Sequence, residues 1–115
     1  MLLGNMKTDI SCNRFGGNGD VIIEHYLDEK MLNDTVVMYA KVTLKPGCSL
    51  GYHVHTGNSE TIVVLQGTAE YNDNGTPMTL HAGDRVHCPN GEGHAIGNPA
   101  NAAEDVLLQA LVIKG

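Results

Sequence analysis

The sequence predicts an all-β fold, a single small barrel or sandwich of short strands, and three observations predict it. One long stretch alternates with a period of two, turn residues recur at short intervals, and no stretch carries a helical stripe of any length. In the alternating stretch, Val36, Met38, Ala40, Val42 and Leu44 fall on one face and Val37, Tyr39, Lys41 and Thr43 on the other. That is the pattern of a half-buried strand. Val21–Leu27, Thr61–Gln66 and Val106–Ile113 are further apolar runs of strand length. Between them lie Lys45-Pro46-Gly47, Asn72-Asp73-Asn74-Gly75, Ala82-Gly83-Asp84, Pro89-Asn90-Gly91 and Asn98-Pro99. Asn74-Gly75 is a strong hairpin signal, because both residues tolerate positive φ. Asp28–Asp34 has room for one helical turn. Residues 1–12 carry the weakest pattern and read as a loosely held N-terminal segment.

Composition fits this picture and excludes several partners. A chain of 115 residues with 42% apolar content can fill one core, so a single domain over 1–115 is expected. Fourteen glycines and only five aromatic residues, none of them Trp, predict many turns and a core of Val, Ile, Leu and Met. The formal net charge is -6 and the seven Lys and Arg form no basic run, which argues against nucleic acid and anionic membrane surfaces as partners. No apolar run approaches the ~20 residues of a membrane helix, and no export signal is visible. Three cysteines, widely spaced and without a CxxC, point to a reducing, cytoplasmic location rather than a disulfide framework.

The chemistry concentrates in four residues. His53 and His55 are two apart, so on a strand both imidazoles project from one face. Thr56–Ser59 reads as a turn that brings Glu60 round to the same place. His94 lies in a separate Gly-rich segment, Gly91-Glu92-Gly93-His94. Three neutral imidazoles and one carboxylate suit a divalent first-row metal. Around an octahedral ion they leave two positions open for water, substrate or dioxygen. An HxH pair alone arises often by chance, and His25 and His81 read as bystanders.

The wider spacing is more specific. The chain reads Gly47-CSLGY-His53-V-His55-TGNS-Glu60-TIVVLQ-Gly67, then Gly83-DRVHC-Pro89-N-Gly91-EG-His94-AIG-Asn98. These segments resemble the two motifs of the cupin superfamily, G-x5-HxH-x3,4-E-x6-G and G-x5-PxG-x2-H-x3-N, with every fixed position filled. Fifteen residues, 68–82, separate them, the short spacing of small bacterial members. The resemblance implies a double-stranded β-helix, or jelly-roll barrel. It implies His53, His55, Glu60 and His94 as ligands of one divalent transition metal, with iron, manganese, nickel, cobalt and zinc all acceptable. It also implies a homodimer, with residues 1–12 as a possible exchanged or added arm and Val37, Tyr39, Tyr52 and Val54 on covered outer faces.

Parity sketches the surroundings. Gly51 shares the inward face of His53 and His55 and leaves space near the site, while Tyr52 and Val54 face away. Ile62 and Val64 point inward with Glu60, and Ile96 and Asn98 share the face of His94. One of His87 and Cys88 looks into the barrel. Met38, Ala40 and Val42 line the cavity, with Gln109 or its neighbours opposite. Arg85 is the one cation near the motifs. A mostly apolar lining suits a small, partly apolar organic molecule held on the metal through an oxygen or carboxylate. Two readings of function follow: a metal-dependent enzyme such as an oxygenase, isomerase or lyase, or a non-catalytic binding or sensing module. No catalytic acid or base beyond the ligands can be named.

Overall fold

The computed structural model describes all residues, 1–115. Ten strands follow one another: β1 Lys7–Cys12, β2 Asp20–His25, β3 Val36–Leu44, β4 Ser49–Val54, β5 Asn58–Gln66, β6 Thr68–Asp73, β7 Thr76–His81, β8 Arg85–Cys88, β9 Gly93–Gly97 and β10 Val106–Lys114. They form two antiparallel sheets, one ordered β1-β2-β3-β10-β5-β8 and one ordered β4-β9-β6-β7, which make up the jelly roll. The sole helical element is a 3-10 turn at Arg14–Gly16. No helix is long and apolar enough to cross a membrane.

The apolar alternation becomes the core. Ala40, Val42 and Leu44 from β3 meet Val106, Leu108 and Ala110 from β10 and Ile62 and Val64 from β5, all buried between the sheets. Ile96 and Tyr71 close the core from the smaller sheet. Methionine contributes less than its count suggests. Met1, Met6, Met31 and Met78 are exposed, and only Met38 packs against the core. The core is β-branched, Leu and Ala, side chains that stand upright on a pleated surface.

Turn chemistry sets the register. Asp73 pairs with Thr76 across Asn74-Gly75, a two-residue hairpin with φ of 48° and 100° at its corners. At Gly67, where β5 passes into β6, φ is 88° and an added Cβ would sit 2.9 Å from the Asp105 carbonyl oxygen. The Asp28 region makes one hydrogen-bonded turn, with Leu32 N donating to Asp28 O, and no helix.

The N-terminal expectation is corrected in part. Lys7–Cys12 is a full antiparallel partner of β2, from Lys7 opposite His25 to Cys12 opposite Asp20. Its sequence alternates weakly because it is an edge strand exposed along most of its length, so the pairing comes from backbone rather than burial.

Candidate metal centre

The four singled-out side chains converge from three strands. His53 sits on β4 and His55 just beyond its end, where His55 N donates to Glu92 O and Gly91 N to His55 O. Glu60 is on β5, and His94 is on β9 directly across from His53. One donor atom from each residue lies within 4.8 Å of every other. His55 Nε2 and His94 Nε2 are 3.0 Å apart. Glu60 Oε1 is 3.3 Å from the first and 3.0 Å from the second. Lone pairs held this close repel unless a proton or cation lies between them. Adjacent donors about 2.1 Å from an octahedral ion stand about 3.0 Å apart, so the spacing fits one.

Each imidazole is oriented by its other nitrogen. His53 Nδ1 donates to Gly51 O at 2.8 Å. His55 Nδ1 bonds Asn58 Oδ1 at 2.5 Å, and His94 Nδ1 bonds the Tyr71 hydroxyl at 2.9 Å. The Gly51 carbonyl and the Asn58 amide oxygen can only accept, so they hold a proton on Nδ1 of His53 and His55 and leave Nε2 free, while the Tyr71 hydroxyl holds the orientation of the His94 ring.

Electrostatics couples the same four groups to one another. Burial pushes the His53 pKa down, with His94 and His55 adding to that, and so favours its neutral form. The hydrogen bond to Glu60 raises His55 against the opposing effect of burial. Burial opposes ionisation of Glu60, but hydrogen bonds and charge from His55 and His94 outweigh it and hold the carboxyl at about 2. Glu60 is therefore a carboxylate at neutral pH. Cys88 is the inward-facing member of its pair, buried beside Glu60 in register, and His87 turns outward to bond Thr61 Oγ1. Burial and nearby carboxylates push the Cys88 thiol up to about 11, so it stays protonated at neutral pH.

A cavity of about 390 Å³ opens beside the four residues. Met38, Val42, Ile62, Ile96 and Leu108 line it. Ala40 is buried behind the wall, and Gln109 lies on the opposite sheet face, bonded to the Tyr39 hydroxyl. Ala110 and Val112, its neighbours, take the inward positions. Asn98 is not a cavity residue: its Nδ2 donates to the carbonyls of Leu44 and Glu104.

The structure departs from the parity expectations at three residues. Val54, at the end of β4, is 56% exposed and borders the cavity mouth. The β3–β10 register shifts at Val112/Ile113, opposite Val37, which also reaches the mouth. Gly51 does not leave open space, because the backbone of Phe15 and Gly17 lies against it. Tyr52 does face away from the cavity.

Four residues near the site carried no motif. Tyr71 and Asn58 orient imidazoles, and Arg14 and Phe15 form part of the cavity wall. Phe15 stacks on His53 at 3.9 Å and 17°. Asn58 had a local signal, an amide three residues beyond a histidine in a turn. Arg85, the cation near the motifs, is exposed on β8 away from the cavity.

The family model for the cupin domain matches residues 40–109. The chain is a cupin. Over 101 residues it is 34% identical to a Thermotoga maritima protein named oxalate-binding protein, a match covering 88% of this cupin and 82% of the relative. Its structure is similar to a crystal structure described as a predicted oxalate decarboxylase from the same organism. There the TM-score is 0.90, the identity 29%, and each chain is covered completely. It is also 32% identical over 84 residues to a mannose-1-phosphate guanylyltransferase of Sinorhizobium fredii, of which it spans 16%. That likeness is to one segment of a larger protein.

Proposed function

We propose that this cupin holds one divalent transition metal through His53, His55, Glu60 and His94, and on it captures a small organic acid. The observation that carries the reading is the convergence of three imidazoles and one carboxylate beside a largely apolar cavity. Three nitrogens and one oxygen accept iron, manganese, nickel, cobalt or zinc. An ion held there supplies Lewis acidity and, if redox-active, a route to dioxygen chemistry. Four protein donors leave room for two ligand oxygens, and acids with two neighbouring oxygens, such as oxalate, make that chelate. The names of the Thermotoga relatives support the same class.

Capture is favoured over turnover by what the cavity lacks. Apart from the four candidate ligands and Arg14, its wall has no titratable side chain to move a proton. Turnover is the second reading, favoured by the coordination positions left free. The test is calorimetry of manganese-loaded protein with oxalate, followed by analysis of the recovered ligand, with a His53→Ala control. Oxalate bound and recovered unchanged is expected, with metal binding much weakened in the control. Conversion of oxalate would establish the second reading, and absence of metal from both proteins would overturn the site.

We also infer a homodimer through the outer face of the six-stranded sheet. β10 is apolar on both faces, which suits a strand covered on both sides. Tyr39, Thr61, Val63, Gln109 and Leu111 line a shallow outer groove there. Of the four residues expected on covered faces, Tyr39 alone belongs to this surface. β1 is already paired within its own chain. Cys12, Cys48 and Cys88 are all free thiols, which fits the proposed reducing, cytoplasmic location.

A further inference from the structure

We propose that Arg14 is the clamp for the ligand's anionic oxygens, so that the cavity selects a dianionic small acid over a monoanion. The inference rests on the metal-bound acid proposed above and adds the residue that reads its charge.

Arg14 and Glu60 are the only ionic side chains in the cavity wall besides the histidines. Arg14 is partly buried, yet no carboxylate pairs with it; the lysine ion pairs of the chain are Lys7–Glu29 and Lys41–Glu24. Its guanidinium carbon lies 4.9 Å from the Phe15 ring centroid. Phe15 in turn stacks on His53. The cation is therefore tied through one aromatic ring to a residue of the centre itself. An arginine fork with free donors matches carboxylate oxygens.

The segment that carries it is held in place against its own preference. Phe15 has φ 53° and ψ 32°, and Asn13 has φ 52°, left-handed values that a bulky side chain such as Phe avoids. Such a conformation persists where surrounding contacts over-determine it. Here Gly19 N donates to Asn13 Oδ1, Asn18 N to Ser49 Oγ, Asn18 Nδ2 to Gly47 O, and Ser49 N to Asn18 O. These bonds stitch residues 13–19 to the start of β4, the strand that bears His53.

Charge balance points the same way. A divalent ion with the Glu60 carboxylate and neutral imidazoles leaves one net positive charge, and Arg14 adds a second. A dianion neutralises both, whereas a monoanion leaves a partly buried charge unmatched.

The test is calorimetry of manganese-loaded wild type, Arg14→Gln and Arg14→Lys with oxalate and with glycolate, a chelating monoanion of similar size. Arg14→Gln is expected to weaken oxalate about 10- to 100-fold and glycolate no more than a few-fold, with metal content and melting temperature unchanged. Arg14→Lys is expected to fall between, and the salt dependence of oxalate binding to flatten in Arg14→Gln. Equal losses for both acids, or no loss for oxalate, would overturn the clamp while leaving capture on the metal intact. Wild type that binds neither acid would overturn both.

Discussion

At the centre of the site, three imidazoles are oriented by three different partners: a carbonyl at Gly51, an amide oxygen at Asn58 and a phenol at Tyr71. The Tyr71 contact is the most enclosed, since Tyr71 and His94 are both buried. Tyr71→Phe keeps the ring and removes the partner of His94 Nδ1. Metal affinity is expected to fall about 10-fold or more, because the imidazole loses the hydrogen bond that orients it. Chelator competition measures this, with circular dichroism as the control for folding. Unchanged affinity would show that packing alone orients His94. Tyr71 carried no sequence signal, since its parity with Ala69 made it a core position like any other.

Strands bring the four side chains together, and one irregular segment closes the wall beside them. The segment 13–19 lies against β4 where both chains are glycine. An added Cβ at Gly51 would press on the Phe15 carbonyl and stand 2.8 Å from Gly17 N, and all of its nearest atoms are backbone. Gly51→Ala is therefore expected to push the segment off β4, lower stability by about 1–3 kcal/mol and remove the Phe15–His53 stacking. Thermal unfolding with and without metal measures it. A melting temperature within a degree of wild type would mean that the segment is not clamped. Gly93 is the useful contrast, because the obstacle there is the far end of the Tyr52 side chain, which can swing away.

Over the whole molecule, the two faces of the larger sheet have different fates. The inner face packs against β9 and β6 and buries Ile62, Val64, Leu108 and Ala110. The outer face presents Tyr39, Val63 and Leu111, with Leu65 44% exposed. Leu111→Glu places a charge at the middle of that face. Light scattering is expected to give a dimer for wild type and a monomer for Leu111→Glu, with the metal site retained in both. A wild-type monomer would remove the proposed interface.

The sequence by itself determined the strand content, the hairpin at Asn74-Gly75 and the grouping of His53, His55, Glu60 and His94. The first two rest on local geometry, a side-chain period of two and positive φ at turns, and the grouping of His94 with the other three rests on the resemblance to the two cupin motifs. Parity also carried Ile62, Ile96 and the outward turn of Tyr52. It failed at Val37, where a bulge adds one residue and moves a side chain to the other face, and at Gly51, whose space the backbone of Phe15 and Gly17 fills. Only the tertiary structure decided that Cys88 rather than His87 points inward, that Tyr71 reaches His94, and that Arg14 and Phe15 form part of the cavity wall. Those contacts join segments far apart in the chain. They depend on how two sheets and one stitched loop pack, which no local spacing encodes.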